Sequence, residues 1–254
     1  MTAKAKVRPQ LPLIRLDLAM PFLEAAKSVH VNADQILGEY GLATEDFANH
    51  DKFVSAPTMY DMVEALAAAT GDPYLGAHLG GALDPFAWSP LADAVRLASS
   101  VGDLLLRFSI DAYRDASSVV FRLDTQGDRT TFTESRLYEG GQQPRHNDAF
   151  GAAYILTILR SAVADQWDGK RVLVSVCDPG AIPPGHLNIR VARSAENGFS
   201  VSFPCEWLLL HPGFDQAGRR SRMHAGSAAP AETLPALHMI LKAHLHEQDL
   251  SSAR

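Results

Sequence analysis

The chain has 254 residues, 46% hydrophobic and 20% charged, a globular balance long enough to bury one sizeable core or two small ones. Its net charge of −6 argues against a strong grip on nucleic acid by this chain alone, which needs a basic face to neutralise phosphates. Two cysteines, Cys177 and Cys205, are too few for a disulfide framework, nothing at the N-terminus has signal-peptide character, and no apolar run reaches the roughly 20 residues of a membrane helix, so a cytoplasmic chain with no membrane role is expected.

In chain order, Met1 to Pro12 lacks periodicity and reads as a frayed arm, with order beginning near Leu13. Leu16, Met20, Leu23 and Ala26 fall at helical spacing, and a second short helix around Ile36, Leu37 and Tyr40 ends at Gly41. Ser55-Ala56-Pro57 opens a clearer helix. Its stripe is Met59, Met62, Val63, Leu66 and Ala67, and Gly71-Asp72-Pro73 closes it. Ser89-Pro90 starts another, with Leu91, Val95 and Ala98 on one face, and after a break at 101–103 Leu104, Leu105, Phe108 and Ala112 continue as a separate amphipathic helix.

The texture changes at Ser117. Val119, Phe121 and Leu123 alternate with Val120 and Arg122, and Gln126-Gly127-Asp128 turns the chain into a β-prone partner that begins at Thr131-Phe132-Thr133. From 147 to 167, Phe150, Tyr154, Ile155, Ile158, Leu159, Ala162 and Val163 define one long helix with a wide apolar face. The run 171–176 suits a buried strand, and Ile189 and Val191 followed by Phe199, Val201 and Phe203 around Asn197-Gly198 predict a hairpin. The fold class expected is α+β: a helical N-terminal half packed on a mostly antiparallel sheet, crossed by one long helix. After Phe214 the composition becomes that of a linker (216–230), and a helix with Leu234, Leu237, Ile240 and Leu241 resumes before the chain stops at an uncompleted start signal.

No constellation of catalytic type is present: no nucleophile elbow, no P-loop and no GxGxxG after a strand, with Gly80-Gly81 and Gly140-Gly141 read as loop glycines. Among ten histidines no metal spacing occurs, since His238, His244 and His246 scatter across helix faces, so neither metal nor cofactor is expected. Arg145 and His146, where the long helix begins, fit either a solvent-facing capping pair or an anion held at a helix N-terminus. Aromatic residues near element ends suit the lining of an apolar cleft: Phe86, Trp88, Phe108, Tyr113, Phe150 and Tyr154, with Arg145 or Arg114 as polar partners. Each of these also fits an ordinary place in a core.

The run Val54-Ser55-Ala56-Pro57-Thr58-Met59-Tyr60, followed by Ala67-Ala68-Ala69-Thr70-Gly71-Asp72-Pro73-Tyr74-Leu75-Gly76, resembles the effector-binding, arabinose-binding-like domain of AraC/XylS-type transcription regulators. Leu91 to Ser99 with Val101-Gly102-Asp103-Leu104 resembles two consecutive helices of that family, and Asn197-Gly198-Phe199-Ser200-Val201-Ser202-Phe203 its late hairpin. The resemblance implies a bacterial domain, 13–215, that senses a small-molecule effector and forms a homodimer. It also implies that 231–254 begins a helix-turn-helix region whose recognition helices are missing, so promoter DNA would be reached only through that missing part. The site residues proposed on this reading are Trp88, Tyr113, Arg145, His146, Phe150 and Tyr154, and the alternative is a dimerisation module with no working pocket, paired through Leu237, Ile240 and Leu241.

Overall fold

In the computed structural model, which describes residues 12–84, 89–137 and 143–213, the chain starts with a short strand, β1 (Leu13–Arg15), paired antiparallel with β2 (Phe53–Ser55). Strands of three residues carry no readable alternation, so neither was expected from the sequence. Between them lie α1 (Met20–Ser28), which buries Phe22, Leu23 and Ala26, and α2 (Ala33–Gly38). Helix α3 (Ala56–Thr70) forms as its signals require. The Ser55 hydroxyl accepts the Thr58 N–H at 3.2 Å, a proline occupies the first turn, and Gly71 ends the helix at φ +75°. Its stripe Met59, Met62, Val63, Leu66 and Ala67 is buried.

Helix α4 (Leu75–Ala82) follows at once, and it corrects the reading of Gly80-Gly81 as loop. Its glycines serve a close approach: a Cβ at Gly76 would stand 2.0 Å from the carbonyl oxygen of His146, and one at Gly80 2.2 Å from that of Phe150. Both oxygens belong to the long helix α7 (Arg145–Val163), so α4 lies backbone to backbone on α7. Helices α5 (Ser89–Leu97) and α6 (Val101–Asp111) come between, the latter capped by the Ser100 hydroxyl on the Asp103 N–H at 3.1 Å.

Strands β3 (Val119–Gln126) and β4 (Arg129–Arg136) form the expected hairpin around Gly127. With β5 (Leu173–Val176), β6 (Arg190–Arg193) and β7 (Ser200–Pro204) they make a five-stranded sheet in the order β3-β4-β7-β5-β6, antiparallel except for β5 and β6. The predicted hairpin of the 189–203 segment is therefore wrong. β5 inserts between its two arms, with Val174 opposite Val191 on one side and Val201 on the other. The glycine of Asn197-Gly198 serves contact instead of a turn: at φ +148°, a Cβ on Gly198 would meet the Glu134 carbonyl oxygen at 1.9 Å.

Burial divides into two hydrophobic clusters. One gathers β1, α1, α2 and α3 with Leu75; the other joins α5, α6, the sheet and most of α7. Phe150 of α7 belongs to the first cluster, its ring 5.6 Å from that of Phe22. By contacts the chain separates into Met1–Phe214 and Asp215–Arg254; the second unit, with the expected linker 216–230 and helix 231–254, lies outside the described residues.

Candidate functional site

A cavity of about 100 Å³ opens along the seam between the two clusters; one water needs only about 10–15 Å³. From the first cluster come Phe22 of α1 and Met59, Tyr60 and Val63 of α3. From the other side come Phe108 of α6, Phe121 of β3, Ile155 of α7 and Phe199. Phe108 and Phe121 stand 4.8 Å apart between ring centroids. The wall is mostly hydrocarbon because each element turns its apolar face to this seam; Tyr60, Asp115, Glu134, Asn147 and Tyr154 are the polar side chains on it.

Glu134 is the unusual member. It is 8% exposed, and its Oε1 is buried without a hydrogen-bond partner. Burial first, and then the Asp148 carboxylate, push its carboxyl up to about 8 against the opposing pull of Arg136, so it is largely protonated at neutral pH. Asp115, 9% exposed, is also raised by burial and is bridged by Arg15 at 2.7 Å. Burial likewise raises the Tyr154 phenol, with Asp84 adding to it. None of the described lining residues is Lys, Arg or His.

Beneath this wall runs a buried polar network. Arg136 holds Asp148 through both terminal Nη nitrogens, the Nη1 contact being the shorter and the Nη2 contact 3.3 Å, and its Nε donates to the Asn197 side-chain oxygen at 2.8 Å. Asp148 also accepts the Cys177 N–H at 3.2 Å, and the guanidinium lies 5.8 Å from the Tyr60 ring centre. β4, α7, the end of β5 and α3 thus meet at one ion pair, and removing either partner of such a pair costs about 3–5 kcal/mol by stranding a buried charge. The Cys177 thiol, pushed up to about 12 by burial and by Asp148, stays protonated.

Phe150 and Tyr154, two of the residues singled out from sequence, line the cavity, as does Phe108. Arg145 and His146 do not; they border a separate depression with Glu64 and Asp72. At the start of α7 the protein's own Glu64 takes the place an anionic ligand could have held, accepting the His146 N–H at 2.7 Å. Burial raises the Glu64 carboxyl to about 7 and lowers His146, whose Nδ1 accepts the Gly76 N–H at 3.3 Å. His146 is 5% exposed, so the solvent-facing capping pair is corrected, while Arg145 donates to the Pro73 carbonyl at 3.1 Å. Tyr113 is 52% exposed, and Trp88 and Phe86 lie outside the described residues.

Sequence reading missed Glu134, although a signal existed. Thr130, Phe132, Glu134 and Arg136 alternate on one buried face of β4, and an acid sharing a face with Phe132 is misplaced unless it has work to do. No group of three or more His, Cys, Asp or Glu able to hold a metal occurs among the described residues, and no helix among them is long and apolar enough to cross a membrane.

Comparison with known proteins gives a family and a fold. The family described as "Arabinose-binding domain of AraC transcription regulator, N-term" matches residues 31–182, more than half the chain. A crystal structure of the transcriptional regulator CdpR from Pseudomonas aeruginosa has a similar fold, with a TM-score of 0.52 at 12% identity over 83% of this chain. The similarity covers 62% of CdpR's own chain, under two thirds of it. No curated protein sequence matches.

Proposed function

Because the chain belongs to the family of arabinose-binding N-terminal domains of AraC transcription regulators, we propose that it is the ligand-sensing part of a cytoplasmic bacterial regulator and that the seam cavity is its effector site. The observation that carries this reading is the cavity itself: enclosed by phenylalanines from both clusters, with a few placed polar groups, it has the make-up of a small-molecule pocket. Phe150 and Tyr154 remain the site residues from the original set; Glu134, Tyr60 and Asn147 join them.

An effector filling the seam touches α1 and α3 on one side and the sheet and α7 on the other, so it favours whichever arrangement brings these layers together. That preference biases the regulator only by the difference in the effector's affinity for its two states. Residues 216–230 would carry the bias as a linker, and 231–254 would begin the helix-turn-helix region through which promoter DNA is bound. The acidic charge of the chain fits a sensor that leaves DNA contact to another part.

Native mass spectrometry of the purified chain, intact and then denatured, tests the proposal. A co-purified small molecule that is lost on denaturation, and that Val63→Phe excludes by placing a ring in the cavity, is the expected result. A ligand retained in folded Val63→Phe would put the effector site elsewhere.

A homodimer is the second reading, favoured by one observation. Leu106 and Ile110, one turn apart on α6, are 53% and 51% exposed, an apolar pair on the surface of the described residues. Light scattering reports it: a dimer that Leu106→Glu with Ile110→Glu converts to monomer is expected, and a dimer unmoved by those changes assigns the contact elsewhere, the 231–254 segment with Leu237, Ile240 and Leu241 being the next place to substitute.

A further inference from the structure

We infer that the effector of the seam cavity is an apolar amine, its ammonium group paired with the Glu134 carboxylate and its hydrocarbon or aromatic body packed among the surrounding phenylalanines. The inference rests on the reading of this cavity as the effector site and adds the chemical class of the ligand.

Glu134 is on the wall of the cavity, and its Oε1 is buried with no hydrogen-bond partner among the described residues. A carboxyl group so placed lowers stability unless something pairs with it. The nearest cation on its strand, Arg136, is already engaged by Asp148 and Asn197. No described residue supplies that partner, and the cavity whose wall Glu134 forms is where one fits.

The wall also selects the sign of charge. Its ionisable side chains are Glu134, Asp115 and the phenols of Tyr60 and Tyr154, with no Lys, Arg or His among the described lining residues. An anionic effector would find no Lys, Arg or His among the described lining residues to balance its charge. A cation meets an acid and the rings of Phe22, Phe108, Phe121, Phe150 and Phe199, whose faces attract positive charge. A neutral effector would take a single ordinary hydrogen bond from the protonated acid, whereas an ammonium makes a charge-assisted one, about twice as strong.

Pairing has a proton balance. In the empty protein Glu134 carries its proton near neutral pH, so an ammonium ion arriving from solution displaces one proton: acid plus ammonium gives the carboxylate–ammonium pair and a released H⁺. The charged groups that act on Glu134 are Asp148 of α7 and Arg136 on its own strand, and Tyr154 of α7, Tyr60 of α3 and Asp115 are the other ionisable side chains on the cavity wall.

Calorimetric titration of the full chain at pH 7 with three probes of one shape tests the inference: 2-phenylethylamine, 2-phenylethanol and phenylacetate. The amine is expected to bind more tightly than the alcohol, and by more as pH rises toward about 9 and less proton has to be displaced from Glu134, with phenylacetate weakest. Heats in buffers of different ionisation enthalpy should show close to one proton released per amine bound. Glu134→Gln keeps a donor and an acceptor but no charge; in that variant, checked for folding by its melting transition, the amine's advantage should collapse and the proton release vanish. An alcohol or phenylacetate that binds as tightly as the amine, or an amine preference that survives Glu134→Gln, overturns the inference and leaves the cavity as effector site. If none of the probes binds, the inference is overturned as well, while the cavity reading is decided separately by the mass lost in Val63→Phe.

Discussion

Glu134 ties the stability of the fold to pH. Its carboxyl ionises near 4.5 in the unfolded chain and at about 8 when folded, and Glu64 behaves alike with about 7. For a raised acid the unfolded chain loses its proton first, so the stabilising contribution is complete below about 4.5 and is lost as pH rises through the folded value. Each tenfold difference in proton affinity is worth about 1.4 kcal/mol, so the loss across this window is a few kcal/mol. The melting temperature should therefore fall between about pH 5 and about pH 9, and Glu134→Gln should flatten the upper part of that fall. A slope above about pH 7 unchanged by that substitution would assign it to another group. Arg136 and Asp148 act differently: they are held to each other in a place where either one alone would be costly.

At the scale of the element, the contact between α4 and α7 is the feature most sensitive to a single methyl group. Gly80→Ala puts a Cβ 2.2 Å from the Phe150 carbonyl oxygen, where no side chain can yield, so α4 must move off α7. A loss of about 1–3 kcal/mol in urea unfolding is expected, the usual cost of overpacking. Gly81 is its control, because nothing lies within 4 Å of a Cβ there; Gly81→Ala should stabilise the chain by about 0.5–1 kcal/mol through helix propensity alone. Equal effects at the two positions would mean that the helices are not in this close contact. Helix α3 shows the opposite case, in which cap, first-turn proline and terminal glycine all sit within the element, and it is the helix the sequence describes best.

For the whole molecule, the seam is where the two clusters of the core meet. Phe150 is carried by α7 yet packs in the cluster of α1 and α3, so it couples the two halves of the core. Phe150→Ala should cost about 3–5 kcal/mol, as large-to-small changes of buried rings do. An effector present at about 100 times its Kd should return about 2.7 kcal/mol of stability in the wild type. In Phe150→Ala that gain should shrink, because one wall of the pocket is gone. A full gain in the variant would place the bound molecule away from this ring.

What could be read from the chain alone is what neighbouring residues settle among themselves. The caps of α3, the β3–β4 hairpin with its tight turn, the apolar face of α7 and the β-branched run of β5 all act within about 20 residues, as does the aromatic placement that singled out Phe150 and Tyr154. Tertiary structure decided the rest because it depended on partners far away in the chain. β5 enters between β6 and β7 because Val174 finds Val191 on one side and Val201 on the other, a pairing that no turn signal at 197–198 could reveal. The glycines of α4 look like loop until the α7 backbone lies against them. Glu134 stands out only when β4 sets it on a cavity wall shared with α3 and α7, its Oε1 buried without a hydrogen-bond partner among the described residues, since the energy of a buried charge belongs to its surroundings rather than to the residue.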